Sequence, residues 1–215
     1  MKAIIFDFDG TLANTLPVCF HAFQQVFKKY DQRELTNEDV KAMFGPSETG
    51  IIQTNLQHSS IVEAIEDYYI HYLEDHEAAV PSNQEILHML SRLKDAGYRL
   101  GIFTGKASRS LEISLEALNM KQFFDVMITG DDVQKPKPDP EGLHLAMELL
   151  GVSKAETMFV GDSDADILAG NKAGVFTVGV HWLPEYHSAE FAVIPNRLIK
   201  SVQEFMDMLL NEYSV

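Results

Sequence analysis

Cysteine is nearly absent from the 215 residues: Cys19 stands alone. One thiol excludes an intramolecular disulfide framework and makes a reducing, cytoplasmic interior the expected compartment. No apolar run reaches the roughly 18 residues of a membrane span. The N-terminus opens on a strand pattern rather than a basic region followed by an apolar block, so no secretory signal is expected. Positive charge is also scarce. Lys and Arg number 17 against 32 Asp and Glu, a net charge of −15, and no Lys or Arg lies between Lys41 and Arg92. That balance argues against nucleic acid, whose phosphates need Lys and Arg, and against an anionic membrane surface. A small anion remains admissible where one or two placed cations or a metal receive it. The eight His are scattered without ligand spacing, which argues against a zinc site. Internal repeats and low-complexity tracts are missing, while 46% hydrophobic residues suffice for a packed core. A monomer or homodimer is expected.

What is present centres on the first dozen residues, Ala3-Ile4-Ile5-Phe6-Asp7-Phe8-Asp9-Gly10-Thr11-Leu12. The apolar run reads as a fully buried strand of a parallel sheet. Such strands bind ligands beyond their carboxyl ends, where Asp7 and Asp9 lie. Two carboxylates two places apart share one face of an extended chain, and a divalent cation is the simplest offset to their repulsion. Gly10 permits a sharp turn, and Thr11 offers a hydroxyl or a helix cap.

From Leu16 to Tyr30 the apolar spacing turns helical; Thr36-Asn37 starts a second helix, Gly45-Pro46-Ser47 breaks the chain, and Ile51–Leu56 forms a short third. The stripe Ile61, Ala64, Ile65, Tyr68, Tyr69, Tyr72 and Leu73 marks another, its Tyr residues belonging to a core rather than a cofactor box. Beyond Pro81 helices and strands alternate. Helices are expected over Asn83–Ala96, Ser108–Leu118, Glu141–Leu150, Asp164–Ala173 and Leu198–Leu210. Strands are expected over Tyr98–Phe103, Asp125–Thr129, Thr157–Val160 and Phe176–Val180, with an edge strand at Ala192–Ile194. The fold class is therefore α/β, a Rossmann-like parallel sheet with an inserted all-helical cap. The core spans 1–14 and 82–215 and the cap 15–81.

Four chain segments bring chemistry to strand ends in order: Asp7-Phe8-Asp9-Gly10-Thr11, Phe103-Thr104-Gly105, Lys135-Pro136-Lys137-Pro138 and Gly161-Asp162-Ser163-Asp164-Ala165-Asp166. This series resembles the haloacid dehalogenase superfamily, specifically its phosphatases with a small helical cap, of which phosphoglycolate phosphatases and related pyrophosphatases and nucleotidases are the nearest by pattern. The resemblance implies Asp7 as nucleophile forming an aspartyl phosphate and Asp9 as general acid and base. It implies Thr104, Gly105 and Lys106 at the phosphate, with residues 44–50 of the cap loop, Gly45, Pro46 and Ser47 among them, touching the leaving group; the acidity of that loop leans against substrates with a second negative group.

The family's pattern sets its lysine directly before the first proline, which selects Lys135 and leaves Lys137 as a solvated charge. Mg2+ is expected, held by Asp7, the backbone carbonyl of Asp9 and Asp162, since sparse hard oxygen ligands suit it. Asp166 and Ser163 stand behind these ligands, Asp166 acting through a metal-bound water or by orienting Lys135. Asp164 is expected to be exposed near a helix N-terminus, and His181-Trp182 to be loop packing.

The expected function is an Mg2+-dependent phosphatase of a small phosphorylated metabolite, phosphoglycolate phosphatase-like. A dehalogenase would lack an acid at Asp9. A β-phosphoglucomutase-like mutase would carry a cationic residue in the loop Phe44–Gly50, and a phosphonate hydrolase a cap lysine; this loop has neither. A pyrophosphatase or 5′-nucleotidase of the same family remains open. A non-catalytic phosphate-binding regulatory domain would have lost Asp7 or Asp9.

Overall fold

The computed structural model describes residues 1–184, 188 and 190–213, without the side chains of Glu212 and Tyr213. Its centre is β1 (Ala3–Phe6), whose four residues are all buried. Full burial follows from position: β1 pairs in parallel with β2 (Arg99–Phe103) on one side and β4 (Thr157–Gly161) on the other. With β3 (Val126–Ile128), β5 (Phe176–Val180) and β6 (Arg197–Ile199) they form one sheet in the order β3-β2-β1-β4-β5-β6. Every pairing is parallel.

Helices cover both faces. Ile4 and Phe6 point into a core shared with α5 (Gln84–Asp95), α6 (Ser108–Ala117) and α9 (Val202–Tyr213). Ala3 and Ile5 point the other way, against α7 (Glu141–Leu150) and α8 (Asp164–Ala173). The two-residue period of a strand thus supplies both cores. α7 and α8 end where Gly151 and Gly174 take up left-handed backbone, at φ of 63° and 73°. Because the chain runs outward from β1 to β2 and β3 and then returns to β4, the strand order reverses beside β1. That reversal opens a crevice at the carboxyl ends of β1 and β4, the usual ligand position in such sheets.

Between β1 and α5 lie α1 (Leu16–Asp31), α2 (Asn37–Lys41), α3 (Glu48–Asn55) and α4 (Ile61–Ala79). The aromatic stripe of α4 packs on α1, with Phe23 and Tyr68 rings 4.6 Å apart. α2 starts where Thr36 and Asp39 cap one another's backbone.

The C-terminal edge departs from expectation. Ala192–Ile194 forms no strand, and Ile194 is exposed. The edge is Arg197–Ile199, paired with β5, so the last helix begins only at Val202. Two of the three β6 residues face solvent, leaving no buried run for a pattern to reveal. No helix of the described residues is long and apolar enough to cross a membrane.

Candidate active site

Asp7 follows directly from β1, its backbone N–H donating to Val160 of β4 at 2.8 Å. Asp162 leaves the end of β4, and Asp166 lies in the first turn of α8. All three carboxylates are buried, with oxygens within 4.8 Å of one another. Local glycines make this convergence possible. Gly10 sits at φ +81°, and a Cβ there would lie 2.3 Å from Asp162 Oδ2. A Cβ on Gly161 would lie 2.4 Å from Asp166 Cγ. Thr11 donates to Asp162 Oδ1 at 3.4 Å.

The lysine in this cluster is Lys137. Its ammonium lies 2.7 Å from Asp7 Oδ1 and 2.6 Å from Asp166 Oδ1. The expectation for Lys135 is therefore corrected: that side chain is exposed, and its backbone N–H donates to Glu141 at 3.1 Å. The reason is the turn of the loop, in which Asp139 N–H closes on the Pro136 carbonyl while Lys172 holds that of Pro138. Lys137 is thereby aimed inward. The other Asp166 oxygen accepts from the Ser163 hydroxyl and N–H, at 2.5 and 3.0 Å. Both its oxygens are thus engaged, and Asp166 is suited to hold Lys137.

Burial, opposed by Lys137 and reinforced by the charges of Asp166, Asp162 and Asp9, pushes the Asp7 carboxyl up to about 8. Lys137 loses hydration by burial, yet Asp166 and Asp7 hold its ammonium charged beyond the usual lysine range. Three carboxylates against one ammonium leave negative charge that a divalent cation would balance. The donors are all oxygen, and the glycines leave room for them to converge, so the residues fit Mg2+.

Asp9 is directed differently. Its carboxylate accepts from the Thr15 hydroxyl and pairs with Lys106 at 3.1 Å. Thr15, at the start of α1, is a member of the site that sequence reasoning missed. Lys106 was expected at the phosphate. The structure instead buries its ammonium between Asp9 and Glu48, 3.2 Å from Glu48 Oε1 and 4.6 Å from the centre of the Tyr72 ring. Burial opposes that charge, but Asp9, Tyr72 and Glu48 hold it well beyond the ordinary range.

Glu48 belongs to the loop expected at the leaving group, but its buried partners were not foreseen. It begins α3, and its carboxylate also accepts from the Ala107 N–H and, at 2.6 Å, from the Ser110 hydroxyl. These two donors start α6, where a carboxylate is favoured.

A cavity of about 260 Å³ opens among these groups. Asp7, Asp9, Thr104, Gly105, Lys106 and Lys137 line it from the sheet side, and Gly45, Pro46 and Glu48 from the helical block. Ser47 is not among its lining; its hydroxyl meets that of Thr49 at 3.0 Å. Cys19 does line it, but burial raises its thiol to about 12, so it stays protonated. Asp164, expected to be exposed, is half-buried and accepts from the Val193 N–H at 3.1 Å. His181 stacks on Phe191, and Trp182 donates to the Thr11 carbonyl at 2.7 Å, as loop packing requires.

The model of the haloacid dehalogenase-like hydrolases matches residues 4–180, the stretch that carries every residue lining the cavity. The chain belongs to that family. This hydrolase is 33% identical over 209 residues to the pyrophosphatase PpaX of Bacillus mycoides, with 97% of each chain covered. Its fold is that of a crystal structure described as a predicted phosphoglycolate phosphatase from Haemophilus somnus, with a TM-score of 0.83 at 22% identity and 97% of each chain covered. CbbY from Rhodobacter sphaeroides, solved in complex with phosphate, superposes with a TM-score of 0.82 at 23% identity, over 97% of this chain and 96% of that one. The protein is therefore an enzyme, a haloacid dehalogenase-like hydrolase.

Proposed function

We propose that this enzyme is an Mg2+-dependent phosphatase of a small phosphorylated metabolite, working through an aspartyl phosphate on Asp7. One observation carries the reading: Lys137 bridges Asp7 to Asp166 at the mouth of a buried carboxylate cluster, on the switch point of the sheet.

Bound Mg2+, held by Asp7, Asp162 and the backbone carbonyl of Asp9, would neutralise charge on the phosphoryl oxygens. Lys137 fixes the Asp7 carboxylate and faces the same oxygens, which suits it to stabilise charge developing in transfer. The free Asp7 oxygen attacks phosphorus, and the bond to the leaving oxygen breaks. Asp9 gives that oxygen its proton, then takes one from the water that attacks the acyl phosphate. Phosphate departs, and both carboxylates return to their starting states. Thr15 and Lys106 hold Asp9 in place for both transfers. Thr104 and Gly105 also line the cavity, and the reading places them at the phosphoryl oxygens.

Residues 15–81 act in this reading as a cap that covers the cavity and excludes water. A cytoplasmic enzyme acting on a free metabolite, as monomer or homodimer and without nucleic acid or membrane, belongs to the same proposal. The cavity lies below the ~300–1,000 Å³ of drug-sized ligands, which favours a small substrate. Likeness to the Bacillus pyrophosphatase favours pyrophosphate as the second reading.

Rapid quenching in acid after mixing with 32P-labelled substrate tests the route. A hydroxylamine-labile label on the peptide that carries Asp7 is expected. Turnover without a labelled protein at any time would mean direct attack by water.

A further inference from the structure

The cavity is also walled by the apolar side chains of Leu16, Cys19, Phe23, Phe44 and Ile51. Of the described residues lining the cavity, two are cationic, Lys137 and Lys106. Lys137 is held at the phosphoryl end by Asp7 and Asp166. Lys106 is the one placed to meet a second anionic group. Its ammonium is already shared between Asp9 and Glu48, both within 3.2 Å, and its side chain is only 1% exposed. With Asp9 carrying the proton it gives to the leaving oxygen, Glu48 alone balances the Lys106 ammonium, so neither lining cation is left over for a second anionic group.

We infer that the leaving group is uncharged and presents an apolar face, and that Glu48 is the specificity-determining residue that rejects substrates with a second anionic group. The inference rests on the phosphatase reading above and names its substrate class. Glu48 acts in two ways. Its carboxylate repels an incoming anion across a desolvated pocket, where juxtaposed like charges are costly. It also occupies the donor of the cavity lining that an anion would need, the Lys106 ammonium, while the Ala107 N–H and the Ser110 hydroxyl hold the carboxylate in place. An alcohol with an aliphatic or aromatic flank asks for none of these and gains contact with Phe23, Phe44 and Ile51. Pyrophosphate and 2-phosphoglycolate each bring a second negative charge into the cavity.

The test is a substrate pair matched in alkoxide leaving group, n-propyl phosphate and 2-phosphoglycolate, with pyrophosphate as a third arm, all at saturating Mg2+. The wild type is expected to favour propyl phosphate in kcat/KM by about tenfold or more over both anionic substrates. Glu48→Gln is expected to narrow that ratio about tenfold. A purely structural loss at the contact between α3 and α6 would lower all the rates together and leave the ratio unmoved, which would overturn the role of Glu48. A wild-type enzyme that hydrolyses 2-phosphoglycolate or pyrophosphate as well as propyl phosphate overturns the inference even if the variant does not fold. Mg2+-independent turnover, or none with any substrate, overturns the phosphatase reading itself.

Discussion

Lys135 and Lys137 carry the same charge two positions apart, yet only Lys137 is drawn into a desolvated carboxylate pair. Lys137→Met is therefore expected to lower kcat by about 100-fold or more, the scale of losing one preorganised electrostatic partner. Lys135→Met, on an exposed side chain, should stay within about twofold. Equal losses in steady-state assays of the two variants would show that the loop arrangement is wrong. The doubled Lys-Pro-Lys-Pro is why sequence alone picked the other lysine: both stand before a proline, and only the path of the loop separates them. Asp7, Asp9, Asp162 and Asp166 were legible because each follows a strand or opens a helix whose own pattern is plain. A second residue-scale expectation concerns Gly10. Gly10→Ala drives a Cβ toward Asp162 and strains a backbone held at φ +81°. It should raise the Mg2+ concentration for half-maximal activity; an unchanged metal requirement would separate Asp162 from metal binding.

Among the elements, α4 and α6 meet through a polar contact inside an apolar interface. The Ser114 hydroxyl of α6 lies 2.8 Å from the Tyr72 hydroxyl and 2.9 Å from His76 Nε2. Burial, aided by the nearby Lys106 ammonium and opposed by Asp9, lowers the His76 pKa to about 4. The folded protein therefore holds His76 neutral where the unfolded chain, titrating near 6.5, binds a proton. Stability from this site is present above about 6.5 and is lost as pH falls toward 4. Melting temperatures measured across that range should decline in the wild type more than in His76→Gln, which keeps an amide for Ser114. Parallel curves would remove His76 as the cause. The helices of this region were legible from their 3.6-residue stripes, and their starts from Thr36 and Asn83. The tie of Glu48 to Lys106, 58 residues away in the chain, was not, because nothing local distinguishes a carboxylate that meets a buried ammonium from one that meets water. The β6 edge was missed for the opposite reason, having little buried surface to leave a pattern.

Across the whole molecule, an overall charge of −15 coexists with a site suited to a phosphate ester. The sheet resolves the conflict by geometry: β1 and β4 bring Asp7 and Asp162 together, where the proposed cation would sit, and the loop before α7 supplies one buried ammonium. The alternation of strands and helices made this architecture legible early, since each buried run and each glycine stop constrains the next connection. Phosphate release from p-nitrophenyl phosphate, followed with and without Mg2+ for the wild type and for Asp7→Asn, is the most direct test. Metal-dependent turnover by the wild type and none by a folded Asp7→Asn is expected. Release that survives either chelation or the substitution would contradict the assignment of Asp7 and its metal as the reacting centre.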